Sequence, residues 1–464
     1  MPKVLFINAP LRMERVDVPS PLSFSRGGLR AAITAAYLRR HDIGVEILDA
    51  AVLNLSVERA AQRAADTAAD LMVVSTNPYS VAVSAALASK VKQYRPGVRV
   101  VFEGPFVTAL PETTLEMYRS VDFGLVGEPE EPLVGLCGCL DRPEQAIVVP
   151  GLVLRDHGQI VVTEEPTPAA DLDELPLPAW DLLPDPGTHY RPAPPLGNSE
   201  RSMCLITSRG MPGQRLRPGA QVNPYRAHTS LRIFEMMQQV SASFRVEDIA
   251  FVDAAFLLDE KKVVELCQHI SRAGLRVTWS CLTTADHYIS EFGLRRMAEA
   301  GCRQILLQID SGSEAILRRQ HKASGPAEIV AAIERIRAAG IEAHGQFTIG
   351  VPGETETTLE ETEGFILRSS LDHIAVQFFR PVAGAVRTLE ALGVLCDAEE
   401  PAGDLVHFLP RGLSREALLR ARAEIIRKFY KRDRSPRGNP YRNIDGGSRG
   451  NLLEAARKML GVEK

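Results

Sequence analysis

Two hydrophobic periods alternate along this chain. Residues 3–8 (KVLFIN) form an apolar run of strand length, and residues 27–40 (GGLRAAITAAYLRR) bring Leu, Ile and Tyr back at helical spacing. The pair of patterns then recurs, with strands predicted over 45–48, 70–76, 98–103 and 123–126 and helices over 57–69 and 81–94. Apolar strands separated by single helices predict a parallel sheet covered on both faces. Ligands of such sheets bind beyond the carboxyl ends of the strands. Those ends here are Asn8-Ala9-Pro10, Ser75-Thr76-Asn77-Pro78, Glu103-Gly104-Pro105 and Gly127-Glu128. Each joins a turn former to a small or polar residue, which suits a large flat ligand. No G-x-G-x-x-G follows the first strand, so a dinucleotide cofactor is poorly supported.

Residues 145–200 are proline-rich (PTPAADLDELPLPAWDLLPDPG) and read as a linker over the surface, with Leu175, Pro176 and Trp180 placed to pack on the next domain. A second β/α series follows, with strands predicted over 203–207, 249–253, 277–282, 304–310, 343–349 and 374–379. Helical periodicity lies between them, as over 260–273 and over 328–339, the latter ended by Gly340. Six such units fit a partial β/α barrel with its active residues at the carboxyl strand ends. Beyond 385 the sequence is irregular until a helix over 414–430, started by Ser414, and a short one over 451–460. The expected organisation is therefore α/β: a Rossmann-like domain over 1–144, a linker over 145–200, a partial (β/α)6 barrel of the TIM type over 201–385, and a mostly helical region over 386–464.

Composition narrows the function without naming it. A net charge of −4 and a pI near 6.3 leave no footprint for nucleic acid or an anionic membrane. No apolar run approaches the roughly 20 residues of a membrane span, and the abrupt first strand leaves no room for a signal peptide, so a cytoplasmic location is expected. The seven cysteines, at 137, 139, 204, 267, 281, 302 and 396, are odd in number and scattered. That pattern argues against a disulfide framework and against a zinc module with paired ligands. Cys137-x-Cys139 lies in a predicted helix, where residues two apart point to different sides. Cys281 and Cys302 read as small buried hydrophobes.

Several stretches, in order, carry a family likeness: EGPFVTALPETTL, VDFGLVGEPEEPL, LDELPLPAWDLLP, FVDAAF, WSCLTTAD, MAEAGCRQILLQIDSGSEAIL, GQFTIGVPGETETT and LSREALLRARAEIIRKFYKR. The chain resembles the cobalamin-dependent radical SAM enzymes, which join a cobalamin-binding Rossmann-like domain to a radical SAM partial barrel. The resemblance runs to about residue 430. It implies cobalamin beside Asn8, Pro10, Ser75, Asn77, Gly104, Pro105, Gly127 and Glu128. It also implies S-adenosylmethionine (SAM) at the barrel mouth, held by Asp310, Ser311, Gly312 and Ser313 on the fourth strand and by Thr348 and Gly350 on the fifth.

The likeness breaks at one loop. In the family, three cysteines spaced C-x3-C-x2-C ligate a 4Fe–4S cluster whose fourth iron anchors SAM. In SRGMPGQRLRP (208–218) those positions are Met211, Arg215 and Pro218, and residues 205 to 266 contain no cysteine. Met offers a thioether, Arg a cation and Pro nothing, whereas such clusters need thiolates. No 4Fe–4S cluster is expected. Further departures are Ala254 after Asp253, Asp310 in place of the usual Glu, and Val382-Ala383-Gly384 in place of Pro-Gly-Thr. Arg209, Arg215 and Arg217 offer guanidinium groups, and two readings stand: Arg215 grips the SAM carboxylate or a substrate anion, or the loop is relaxed and solvated.

His228, His321 and His344 fall near strand ends or loops, with no carboxylate at a telling spacing. If Phe347 and Ile349 face the helices, His344, Gln346 and Thr348 form a polar stripe inside the barrel, with Gln377 adjoining it. A satisfied polar core is an equal reading of that stripe. Three functions remain open. One is a cluster-free, cobalamin-binding enzyme that transfers a methyl group to, or rearranges, a small molecule of specialised metabolism. The second is a non-catalytic scaffold or regulatory partner of an intact radical SAM homologue, or a homo-oligomer. The third, an unrelated β/α dinucleotide enzyme, lacks the glycine fingerprint.

Overall fold

The computed structural model describes residues 2–10, 26–78, 80–192, 196–197, 199–210, 224–287, 289–380, 393–395, 406 and 408–431. The first sheet contains β1 (Lys3–Asn8), β2 (Gly44–Asp49), β3 (Leu71–Ser75), β4 (Arg99–Glu103), β5 (Phe123–Leu125), β6 (Leu152–Asp156) and β7 (Gln159–Val162). Its order is β2-β1-β3-β4-β5-β6-β7, parallel through β5 and antiparallel beyond. Helices α1 (Arg26–Arg40), α2 (Val57–Asp66) and α3 (Val81–Tyr94) are among those that cover it. Because both faces are covered, β3 is apolar up to its last residue, and Leu71, Met72, Val73 and Val74 are all buried. Ser56 caps α2 by accepting from the Arg59 N–H.

The sheet runs past the expected boundary at 144. The hairpin β6–β7 turns through His157 (φ 44°) and Gly158 (φ 82°), the two left-handed residues of a tight hairpin turn. His at the first position hides a signal that Asn-Gly would have made plain.

The second sheet has six parallel strands: β8 (Ser202–Leu205), β11 (Asp248–Phe251), β12 (Thr278–Thr284), β13 (Cys302–Asp310), β14 (Glu342–Ile349) and β15 (His373–Phe378). They lie in chain order, with β8 and β15 at the edges, so the barrel is open. Between β8 and β11, the two-residue strands β9 (Ser208–Arg209) and β10 (Arg226–Ala227) pair antiparallel. The helix Glu260–Ala273 is capped by Asp259 and ended by Gly274 at φ 62°. On β14, Phe347 meets Phe365 of the helix Glu356–Arg368 at 6.1 Å between ring centroids. Phe347 thus faces the helices, and His344, Gln346 and Thr348 face the barrel interior.

The proline-rich connection is not a loose strap. Trp180 (2% exposed) and Tyr190 (0%) sit in one core with Leu29 and Ala32 of α1 and with the strands of the second sheet. Leu172 and Leu175 pack instead on Ile33 of α1. Prolines carry no N–H, so such a chain can be buried once its remaining polar groups are met. The Ala179 N–H donates to the Ala32 carbonyl (2.9 Å), and the Cys204 N–H donates to the Tyr190 carbonyl (2.8 Å). The Tyr190 hydroxyl donates to Asp49 Oδ2 at 2.8 Å, so Tyr190 is bonded to both sheets. Only glycine fits at position 28, where a Cβ would lie 2.3 Å from Asp49 Oδ2 and 2.8 Å from the Tyr190 hydroxyl.

The last described helix, Arg415–Tyr430, starts with Ser414 accepting from the Ala417 N–H, as its sequence predicts. It packs on the second sheet through Leu418 and Ile425, beside the antiparallel pair β16 (Gly393–Leu395) and β17 (Phe408–Pro410). The helix expected over 451–460 lies outside the described residues. Among the described residues no helix is long and apolar enough to cross a membrane.

Burial holds the Asp49 carboxyl above its usual range, against the opposing pull of donors from Val52, Tyr190 and Asn8. Tyr190→Phe removes one donor and leaves a buried oxygen unmet. Urea unfolding should show a loss of about 1–3 kcal/mol with an unchanged m value.

Candidate functional site

The carboxyl ends of the two sheets meet at a part-enclosed cavity of about 310 Å³. The first domain lines it with Glu103, Gly104, Pro105, Gly127 and Glu128, and the second with Ser208, Arg209, Val252 and Asp253. Two of its turns require glycine. At Gly104 (φ 107°) a Cβ would lie 2.4 Å from the Thr76 carbonyl oxygen, and Gly127 (φ 84°) donates its N–H to Thr108 Oγ1.

An ion network centred on the buried Glu130 closes one wall. Arg209 on β9 donates to both oxygens of Glu130 (2.7 and 3.0 Å) and to Glu128 (3.0 Å). Arg226 on β10 donates to Glu128 and to the Ala169 carbonyl. Thr34 on α1 adds a donor to Glu130 at 2.9 Å. Burial alone would raise the Glu130 carboxyl, but the Arg209 charge and these hydrogen bonds outweigh it and hold the group below its usual range. The same two carboxylates push the Arg209 guanidinium up against its own burial.

Asp253, 4% exposed, accepts from the N–H and hydroxyl of both Thr207 and Ser208 at 2.7–3.0 Å. It therefore staples the end of β8, where the loop towards 211–223 departs. At the barrel mouth Asp310 takes φ 69° beside a break in the β13–β14 register. It accepts from Thr348 Oγ1 (3.2 Å) and pairs with Lys322 (2.7 Å), while Gln377 donates to Thr348 (3.2 Å). A non-glycine residue held left-handed at a strand end is costly and collects at functional sites.

The expected site residues separate into three groups. Gly104, Pro105, Gly127 and Glu128 line the cavity. Asn8, Pro10, Ser75 and Asn77 are not among its lining residues: Asn8 donates to Asp49, the Ser75 carbonyl accepts from the Ser84 hydroxyl, and Asn77 accepts from the Ser80 N–H. Around the barrel mouth, Asp310 and Thr348 are joined, but the Ser311 and Ser313 hydroxyls turn onto Thr362 and Glu361 of an outer helix. Gly312 is pressed on that helix, where a Cβ would lie 2.4 Å from Phe365. Gly350 (φ 79°) donates to the Glu354 carboxylate. Arg215, with Met211, Arg217, Pro218 and residues 382–384, lies outside the described residues.

Sequence reasoning missed Thr34 and Glu130, since a helix face shows no sign of what will meet it. It also found no partner for two histidines that have one. His228 Nδ1 lies 2.7 Å from Asp173, 55 positions earlier. Burial lowers the His228 imidazole despite that carboxylate, so a neutral ring donates through Nδ1–H. His344 Nε2 lies 3.3 Å from Glu342. His321 is exposed, at φ 55°.

Residues 204–366 match the Radical SAM superfamily model, and residues 28–137 match the B12 binding domain model. The chain therefore carries a radical SAM domain and a B12-binding domain. It is similar to the uncharacterized methyltransferase PH0819 of Pyrococcus horikoshii, 26% identical over 356 residues and 75% of each chain. It is also similar to the anaerobic magnesium-protoporphyrin IX monomethyl ester cyclase of Cereibacter sphaeroides, 24% identical over 68% of this chain and spanning only 52% of the cyclase. In fold it resembles the radical SAM methyltransferase TsrM of Kitasatospora setae, solved with tryptophan substrate and a SAM analogue (TM-score 0.66, 15% identity, 93% and 89% of the two chains). A second fold relative is the cobalamin-dependent radical enzyme OxsB with aqua-cobalamin (TM-score 0.70, 15% identity, 91% and 66%). The B12-binding and radical SAM domains are therefore the two sheets that meet at the cavity.

Arg209→Met leaves the buried Glu130 carboxylate short of its cation, while Glu128 keeps Arg226, and chemical denaturation should show a loss of about 3–5 kcal/mol at pH 7. Because Glu130 is held below its ordinary 4.5, its stabilisation is present above that value and fades as pH falls through the lowered one. Wild type and variant should therefore converge as pH falls below the ordinary carboxyl range. Glu354 runs the other way. Burial raises it from 4.5 to about 7, over the opposing Gly350 and Val351 N–H groups. Its contribution is full below 4.5 and lost as pH rises through 7, by at most about 3 kcal/mol. Denaturation of Glu354→Gln across pH 5–8 should lack that fall.

Proposed function

We propose that this chain binds cobalamin between its two sheets and SAM at the barrel mouth, and transfers a methyl group to a small molecule without a 4Fe–4S cluster. The observation that carries the reading is the cavity at which both carboxyl edges converge, with glycine turns on one side and carboxylates around it. Glycine turns let backbone approach a flat ligand. Inside the barrel the buried Gln346 Oε1, two residues before Thr348, has no partner among the described residues. Such a group is normally met, and a bound ligand would meet it. A corrinoid is larger than the enclosed space, so only part of it would sit there, against Gly104–Pro105 and Gly127–Glu128.

Cobalamin, when bound, supplies a cobalt able to take and give up a methyl group by a polar route. In the overall transfer the methyl leaves the SAM sulfonium, a neutral thioether remains, and the substrate atom that gains the methyl loses a proton. Asp310 is placed to accept from a ribose hydroxyl, with Thr348 and Gln377 holding its position. The TsrM protein has been solved with both cobalamin and a [4Fe-4S] cluster. Against that, positions 211, 215 and 218 here offer no thiolate, and Cys204, Cys267, Cys281 and Cys302 are buried in the core. The same substitutions favour a second reading, a non-catalytic partner of an intact relative.

Anaerobic incubation with hydroxocobalamin, then desalting, a visible spectrum and an iron assay on the same sample, tests both parts. The expected result is about one equivalent of cobalamin with no iron. No cobalamin retained at micromolar concentration sinks the enzyme reading in favour of the partner. Stoichiometric iron sinks the cluster-free part and leaves cobalamin binding standing.

A further inference from the structure

At the other end of the barrel, where β14 and β15 begin, Glu342, His344 and His373 come together inside the sheet. One carboxylate oxygen and one nitrogen of each ring lie within 4.8 Å of one another. We infer that these three residues form a binding site for a divalent first-row metal, zinc by its ligand chemistry. Two imidazoles and a carboxylate are the donors zinc takes, with a fourth position left for water.

The arrangement follows from the strand register. Glu342 and His344 are two apart on β14 and share its inward face, and His344 is the direct neighbour of His373 on β15. The His344 and His373 rings meet edge to face, 4.8 Å between centroids. His344 Nε2 stands 3.3 Å from Glu342 Oε2. That is long for a charge-assisted hydrogen bond, which runs to about 2.9 Å. It equals the edge, about 3.3 Å, of a tetrahedron whose metal–ligand bonds are about 2.0 Å.

The carboxylate is already oriented from behind. The Gly197 N–H donates to Gln304 Oε1 (3.2 Å), which fixes the amide so that Gln304 Nε2 donates to Glu342 Oε2 (3.0 Å). Outer hydrogen bonds of this kind are what set a ligating carboxylate. The site is separate from the cofactor cavity: His344 and Thr348 are about 13 Å apart along the strand at about 3.3 Å per residue. It lies where the open edge of the barrel meets the last described helix. Tyr430 of that helix bonds its hydroxyl to the Ile374 backbone and sets its ring 6.2 Å from that of His373. A metal here would tie the edge strand β15 to β14 at the point that seats the helix, a structural role.

The test is zinc stoichiometry. Protein stripped with chelator is dialysed against micromolar ZnSO4, desalted and assayed for metal, alongside Glu342→Gln and His373→Gln. Wild type should retain one equivalent of zinc and gain several degrees in Tm, and both variants should lose at least tenfold in affinity. Cobalt(II) in the same site should give the intense visible bands of tetrahedral coordination. Should a variant fail to fold, the wild-type zinc count and cobalt spectrum decide alone. Wild type with no zinc above the buffer blank, zinc undiminished in both variants, or weak octahedral cobalt bands would each overturn the site.

Discussion

The contact on which the site depends is the largely buried arginine of β9, 18% exposed at its side chain. Arg209 places its guanidinium between Glu128 and Glu130, and Arg226 meets Glu128 from β10. Taking such charges out of water costs several kcal/mol per ion, and only well-aimed hydrogen bonds return it. The requirement is directional in a way that apolar packing is not. The guanidinium must face the carboxylates in one geometry, so the barrel meets the B12-binding domain in one register. The strand that presents Arg209 is itself held by Asp253 at Ser208. A chain of polar contacts thus runs from the second barrel strand, through the start of the 211–223 loop, to the far wall of the cavity.

A second constraint works from the opposite side of the junction. Asp49, Tyr190 and Gly28 are packed so closely that each excludes alternatives at the other two. The connection between domains is therefore part of the core, and its prolines allow this by removing donors that burial would leave unmet. Polar clamp and apolar seat together hold the two carboxyl edges face to face.

The half barrel has two polar ends separated by its own strands. Asp310, Thr348 and Gln377 gather at the mouth, and Gln304, Glu342, His344 and His373 at the closed end. Both sets lie on the inward parity of the same strands, which is why a single stripe on β14 supplies members to each. Position along the strand, rather than residue type, separates the chemistry proposed for the mouth from the metal proposed for the base.

The local patterns alone determined much. Strand and helix order, the six-stranded series, the inward stripe of His344, Gln346 and Thr348, the Ser414 cap and the glycine turns at 104 and 127 all follow from periodicity and backbone restriction, which act over a few residues. The lack of thiolates at 211, 215 and 218 is likewise a property of the sequence. Tertiary structure decided what required distant groups to meet. It showed the hairpin β6–β7 extending the first sheet, and the connection buried through Trp180 and Tyr190. It paired Arg209 with Glu130, His228 with Asp173 and His344 with His373. It also turned the Ser311 and Ser313 hydroxyls onto a helix rather than into the mouth. Side-chain partners 30 to 140 residues apart are selected by how packed elements exclude water, and no spacing rule along one chain encodes that.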